Sequence, residues 1–593
     1  MMMKNKIIIV FFSIAIFLSG CIKDTLDRKP LNLISDADIW VSTTMIDIYM
    51  AALYDNIQIG HTGQNYQSVF TDEAAAVLQG SPVLQRNYGG INRFLNTTQY
   101  LWIRRTNYFL DKIRTATIPP DKIKQYIAEC RFIRAYYYFD LVKKYGGMPI
   151  IEQVQDFTGS NLEELKVFRN TEDEVYAFIL KELDAAILDL PESWDAKNAN
   201  RATNTVAQAL KSRAMLYAGS IAKYGSVQLN GLIGIPASRA SLYFTESLKA
   251  SAAVMQSNKY SLYDKSYNPV AKTGDPVKNY TDIFLDKNNK EIIFQRAYIV
   301  PDKAHSYDFE NTPIAYIAST GSSICPLLEL VESYEYVDGT PGILNVDGKE
   351  FDSPDELFKN KDPRFAASVF RSGSPFIGRP IQMWAGVYDT DGRLYQTPDQ
   401  KFPKDANVLQ VGLDGPHSRT RYTKTGFYVR KYINQSQIVG AANLSDQSYI
   451  DIRYAEVLLN YTEAALELGI NLPEALTAIN QVRNRAGIKI LTAGELTIDR
   501  LRNERKVELA FEDKRFWDMK RWRIAKNLFN NSLMHGLYPY LRYTGTGYKY
   551  LFKKITGAPL DEGLTRTFEE KDYYSNLSGY ISTNSNIANN PGW

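Results

Sequence analysis

The chain has 593 residues, with 69 basic side chains against 66 acidic ones and a formal net charge of +3. A balance this close gives no reason to expect electrostatic capture of nucleic acid or of an anionic membrane surface, so no nucleic-acid partner is expected and recognition has to come from shape. Three cysteines in so long a chain exclude a disulfide scaffold.

The chain opens with Lys4 and Lys6 ahead of an apolar run, Ile7 to Leu18, interrupted only by Ser13 and closed by Leu18-Ser19-Gly20-Cys21. At ~1.5 Å per residue such a run makes a helix of roughly 18 Å, too short for the ~30 Å hydrocarbon core, and the small residues before a cysteine read as a lipobox. Residues 1–20 are therefore expected to be a signal peptide and Cys21 the acylated first residue of the mature protein. Acyl chains contribute ~0.8 kcal/mol per buried methylene, so several of them on Cys21 would hold the protein at a membrane.

Helical periodicity then dominates residues 35–260. Ile123, Ile127, Cys130, Ile133, Tyr137 and Leu141 recur at three or four residues from about Asp121, and Gly146-Gly147 with Pro149 stops that helix. Thr171 with Glu174 forms a capping box for the next, which Pro191 ends. A third runs from Thr205 to Ala218, where Ala207, Ala209, Ala214 and Ala218 allow a close neighbour, and a fourth covers Tyr243 to Met255. Residues 269–442 change character, rich in Gly, Pro, Asp and Tyr as in Gly339-Thr340-Pro341-Gly342 and Asp389-Thr390-Asp391-Gly392, and read as loops and short strands. Helices return over 443–535, at Tyr449 to Leu468, Pro473 to Arg485, Ile498 to Phe511 and Arg515 to Leu528, before an irregular tail over 536–593. The pattern predicts a mainly α protein of stacked helical hairpins of the tetratricopeptide kind with a large irregular insertion.

Five segments in order carry a resemblance to one family: the lipobox, Arg131 to Ile151 (RFIRAYYYFDLVKKYGGMPII), Ala207 to Ala218 (AQALKSRAMLYA), Arg453 to Gly469 (RYAEVLLNYTEAALELG) and Leu501 to Trp522 (LRNERKVELAFEDKRFWDMKRW). Together they resemble the SusD/RagB outer-membrane lipoproteins of Bacteroidetes over nearly the whole mature chain. The resemblance implies a single SusD-like fold over 21–593. It also implies a non-catalytic, surface-exposed receptor that binds a nutrient, usually an oligosaccharide, and delivers it to a SusC-like TonB-dependent transporter. Lys23 and Asp24 fall where such lipoproteins carry an acidic surface-export signal, here reduced to one acidic residue.

Catalytic chemistry finds little support. His61, His305, His417 and His535 show no paired metal-ligand spacing, and there is neither a nucleophile elbow nor a complete phosphate-binding glycine loop, Gly545-Thr546-Gly547 lacking its third glycine. No cofactor is expected; structural calcium is conceivable but no motif supports it. Asp72 and Glu73 are adjacent, which does not suit the facing carboxylates of a glycosidase. Arg502, Glu504, Arg505, Glu508, Glu512, Arg515, Asp518 and Arg521, interleaved with Phe511, Phe516, Trp517 and Trp522, read as a structural ion network. Cys130 and Cys325 are expected to be free thiols.

A sugar needs flat apolar faces flanked by fixed polar groups, and two regions offer both. The first holds Asp72, Arg86, Tyr88, Asn92, Asn96, Tyr100 and Trp102, with helical packing a strong competitor at Trp102. The second holds Tyr316, Trp384, Tyr388, Arg393 and Tyr395, with packing on the scaffold the competitor at Trp384. Capture of a peptide within the same family, and a surface polysaccharide hydrolase, remain the alternative readings.

Overall fold

The computed structural model describes residues 36–61, 67–77, 99–317, 320–417, 421–436, 440–558 and 560–593. The leader with Cys21, and the candidates Arg86, Tyr88, Asn92 and Asn96, lie outside the described residues.

The scaffold is helical. Its main elements are α1 (Thr43–Asp55), α2 (Gln99–Lys112), α3 (Pro120–Tyr145), α4 (Glu172–Asp189), α5 (Asn204–Tyr224), α6 (Ala240–Gln256), α7 (Tyr454–Leu468), α8 (Leu472–Arg485), α9 (Ile498–Glu508) and α10 (Arg515–Arg521). Helices α2 to α6 pack each on the next, and α7 then packs on α6 and α8 on α7, so the array continues across some two hundred intervening residues. The local chemistry is that read from the sequence. α3 begins with Pro120 at its first position, where a missing N–H costs nothing, and stops at Gly146 with φ +75°. Thr171 and Glu174 close their capping box reciprocally on α4. The alanines of α5 are fully buried, and a Cβ on Gly219 would stand 2.7 Å from Phe244 of α6, so the two helices approach as closely as the small residues allow.

α3 runs through the middle of the molecule. Every residue from Tyr136 to Val142 is buried, the mark of a helix enclosed on all sides, and the aromatic run Tyr136 to Phe139 packs inside as core. Two of its hydroxyls are satisfied internally, Tyr136 donating to Asp451 at 2.8 Å and Tyr137 to the Leu53 carbonyl at 2.7 Å.

Three expected segments differ. The helix expected from Arg515 to Leu528 breaks at Arg523, which takes φ +56°, into Arg515–Arg521 and Ala525–Leu528. Tyr449 to Arg453, expected to open a helix, is a strand paired antiparallel with Ile292–Arg296, and α7 starts only at Tyr454. Its residues, Tyr-Ile-Asp-Ile-Arg, are β-branched and aromatic with alternating character, and that preference wins where a partner strand is at hand. The tail expected to be irregular carries two nine-residue strands, His535–Tyr543 and Tyr548–Thr556, joined by a turn in which Gly545 takes φ +94°. Gly545-Thr546-Gly547 is thus hairpin chemistry. This hairpin forms the core of a five-stranded sheet in the order Leu394–Tyr395, Val387–Tyr388, His535–Tyr543, Tyr548–Thr556, Glu350–Phe351, in which Val387–Tyr388 lies parallel to its hairpin neighbour and the other pairs are antiparallel.

The charged family-signature residues form a buried network. Glu508 accepts from Arg364 at 2.8 Å, from Arg453 at 2.6 Å and from Arg485. Glu504 joins Arg364 to Arg483, and Asp518 joins Arg505 to Arg521. Arg502 instead stacks between Tyr224 and Trp522. Cys130 and Cys325 are free and buried in separate elements, α3 and the short strand Ile324–Pro326.

Candidate functional site

A cleft of about 570 Å³ opens where α3, α10 and the strand Tyr449–Arg453 meet the segments around Gly60 and Tyr298. α3 supplies its floor: Tyr136, Asp140 and Lys143 follow one another at four and three residues and so share a face. Arg213 of α5 reaches the same floor and is held by Asp451 at 3.0 Å and Glu456 at 2.7 Å. Asp513, Lys514 and Trp517 form one wall, with the Lys143 ammonium 4.9 Å from the Trp517 ring centre. Gln67, Tyr298, His305, Ser306 and Asn443 reach the rim.

The rim is built on a close backbone approach. Gly60 has φ +139°, and a Cβ there would meet the Tyr298 hydroxyl at 2.4 Å, so only glycine lets the His61 N–H donate to that hydroxyl at 3.3 Å. The His61 ring lies 4.2 Å from that of His305, which in turn meets Tyr298 at 4.6 Å, edge to face. His305 is locked by two bonds: its Nε2 donates to the Gln447 carbonyl at 2.9 Å and its Nδ1 accepts from the Tyr307 N–H at 3.1 Å.

Burial sets the protonation of this surface. It pushes His305 down to about 4, and burial with the adjacent His305 holds His61 well below the ordinary histidine range, so both rings are neutral. Burial also pushes Asp513 up to about 6, raises Asp140 and lowers Lys143. Several buried side-chain atoms of the cleft have no partner among the described residues: His61 Nε2, Gln67 Oε1, Asp140 Oδ2 and Arg296 Nε. Buried polar groups are rarely left unmade, so these nearly inaccessible atoms call for a bound water, or for a small side-chain movement that turns them toward whatever enters the cleft. A second cavity of about 460 Å³, lined by Asp47, Tyr54, Asn200 and Lys303 among others, shares Ile59 and Arg296 with the first.

The residues expected from the sequence lie elsewhere. Asp72 is corrected from candidate ligand to buried structural group: Arg515 clamps it at 2.8 and 2.9 Å and Lys506 at 2.8 Å. Although burial opposes its charge, those two cations hold its carboxyl well below the usual range. Tyr100 donates to the Pro149 carbonyl at 2.8 Å and borders a separate cavity beside Tyr580 and Ile587. Trp102 is half-buried on α2 against the core, with the Arg105 guanidinium 4.3 Å above its ring.

Tyr316 donates to the Arg379 carbonyl at 3.0 Å and is covered by the Arg379 guanidinium at 4.2 Å. Trp384 is corrected too: only 9% exposed, it packs with Val387, Phe402 and Leu541, and its indole N–H donates to the Leu409 carbonyl at 2.9 Å. Around it, Tyr395 packs on the same small cluster with exposed Arg393 over its ring. Tyr388 points its hydroxyl to Lys553 and its ring toward Tyr540. The structure therefore brings Trp384, Tyr388, Arg393 and Tyr395 together around one sheet and keeps Tyr100, Trp102 and Tyr316 apart from them. None of these lines the cleft.

Matches to known proteins agree with this architecture. Residues 290–593 match the model of the SusD family, and residues 26–216 match a model described as "Starch-binding associating with outer membrane". The chain belongs to the SusD family. Among curated relatives, SusD-like protein P2 of Formosa agariphila is 26% identical over 428 residues, covering 69% of this chain and 67% of that protein. A SusD-like protein of Bacteroides fragilis, known from a crystal structure, superposes with a TM-score of 0.67 at 24% identity, covering 95% of this chain and all of the other. A second from the same species, described as a SusD-like carbohydrate-binding protein, gives 0.65 at 22% identity, covering 93% of this chain and 99% of the other. At these identities the superpositions establish the SusD-like fold.

Proposed function

We propose that this protein is a lipid-anchored receptor at the outer membrane that binds a nutrient glycan and hands it to a SusC-like TonB-dependent transporter without altering it chemically. The observation that carries the reading is the cleft. The half-buried Tyr298 ring at its rim stands beside buried polar atoms that have no partner among the described residues, which is the pairing that ring stacking and hydroxyl recognition require. Membership of the SusD family, the carbohydrate-binding description of the second Bacteroides fragilis relative and the outer-membrane description matching residues 26–216 support it. The lipobox at Cys21 supports the anchor.

Binding without chemistry is supported by how the acids of the cleft are engaged. Asp451 is held by Arg213 at 3.0 Å, Asp140 by Lys143 at 3.0 Å, and Asp513 by the Tyr449 hydroxyl at 3.1 Å. Each acid is tied to a partner within the protein, which suits a fixed hydrogen-bonding group for sugar hydroxyls. The test is calorimetric titration of the purified full chain with a panel of oligosaccharides, in wild type and Tyr298→Ala. Glycan binding weakened in the variant is expected; release of shortened products from a bound glycan would overturn the reading.

A further inference from the structure

We infer that the cleft beside His61 selects an uncharged, hydroxyl-rich glycan and excludes glycans that carry carboxylate or sulfate groups. The inference rests on the reading that this cleft is the glycan site, and it adds the class of sugar.

The first ground is the bookkeeping of cations. Four of the described lining residues are cationic, Lys143, Arg213, Arg296 and Lys514, and each is paired with a carboxylate of the protein. Lys143 meets Asp140 at 3.0 Å, Arg213 meets Asp451 at 3.0 Å, Arg296 meets Asp55 at 2.7 Å, and Lys514 lies 3.6 Å from Asp451 and donates to the Glu512 carbonyl at 3.0 Å. A uronate or sulfate reaching Lys143, Arg213 or Lys514 would have to displace a buried carboxylate and leave it without its partner, whereas the Arg296 pair with the exposed Asp55 lies at the edge.

The second ground is the sign of what remains open. Gln67 Oε1 and Asp140 Oδ2 are acceptors, and they take the O–H of a sugar hydroxyl but nothing from a carboxylate or sulfate oxygen. Arg296 Nε, and His61 Nε2 in the tautomer that carries its proton there, are donors that a hydroxyl oxygen satisfies without adding charge to the cleft. Asp140, Glu310, Asp451 and Asp513 also place four carboxyl groups around the space a ligand would fill, and those that are ionised repel an anion in a medium of low dielectric.

The experiment titrates the full chain with neutral hexaoses of glucose, xylose and mannose, and with hexagalacturonate and a sulfated galactan oligosaccharide. At least one neutral sugar is expected to bind, with the acidic sugars at least tenfold weaker and the neutral affinity steady between about 50 and about 500 mM salt. Asp140→Asn, which strips Lys143 of its carboxylate, should narrow the gap between the two classes severalfold. Should that variant fold poorly, Gln67→Ala replaces it and should weaken the neutral sugar alone. An acidic sugar that binds as tightly as any neutral one would overturn the inference while leaving the receptor reading in place. Binding of neither class would overturn the receptor reading, and the inference with it.

Discussion

Trp384 separates packing from recognition, because a tryptophan in a loop-rich region invites a ligand reading that its surroundings contradict. Its side chain is 9% exposed among Val387, Phe402 and Leu541, with Tyr395, Val408 and Tyr550 closing the edges. A buried aromatic of this kind removes roughly 150–250 Å² from water, which at about 25 cal/mol per Å² gives about 4–6 kcal/mol, near the ~3–5 kcal/mol found for Trp→Ala in cores. Trp384→Ala should therefore destabilise this small cluster by about 4 kcal/mol. Trp384→Phe, which keeps most of the volume but leaves the Leu409 carbonyl without its donor, should cost about 1–2 kcal/mol.

So large a chain need not unfold in one step, so the readout is amide hydrogen exchange over residues 384–411 rather than a global melting curve. Protection there should fall by the stated amounts while glycan affinity stays within about twofold. Unchanged protection together with a tenfold loss of glycan affinity would place the indole against the ligand and refute the packing argument.

Two further outcomes follow from buried charges. Glu508→Gln keeps the shape of a fully buried side chain that three guanidinium groups share, and removing its charge should cost about 3–5 kcal/mol, read as lost amide-exchange protection over α9; a loss under about 0.5 kcal/mol would refute its role as the hub. For His305, whose Nδ1 accepts a backbone N–H, protonation breaks that bond, and the folded value of about 4 lies below the unfolded 6.5. The unfolded chain therefore takes the proton first, and the stability this ring contributes is lost as pH falls from 6.5 toward 4. The stability gap between wild type and His305→Asn should shift by about 3 kcal/mol toward the variant over that window; parallel pH profiles would contradict it.

Much of the scaffold was legible because its determinants are local. The capping box at Thr171, the glycine stop at Gly146 and the alanines of α5 each act within a few residues, and each sits where the periodicity puts it. Two of the misread segments are decided by a distant partner: Tyr449 to Arg453 becomes a strand because Ile292–Arg296 lies beside it, and the tail hairpin is fixed by the sheet it completes. The cleft was invisible for the same reason. His61 and His305 are 244 positions apart and meet at 4.2 Å, Asp140 and Lys143 look like ordinary polar residues of a helix, and no spacing announces them. Aromatics in loops were a poor guide, since a loop folded against a sheet buries its tryptophan as a core does.

The account stands on where the sugar sits. Calorimetric titration of one bound oligosaccharide into wild type, Tyr298→Ala and Tyr388→Ala decides it. The cleft predicts that Tyr298→Ala loses about 1 kcal/mol, roughly fivefold in affinity, while Tyr388→Ala on the distant sheet changes nothing. Full affinity in Tyr298→Ala with a loss in Tyr388→Ala would move the site to the sheet and contradict the account.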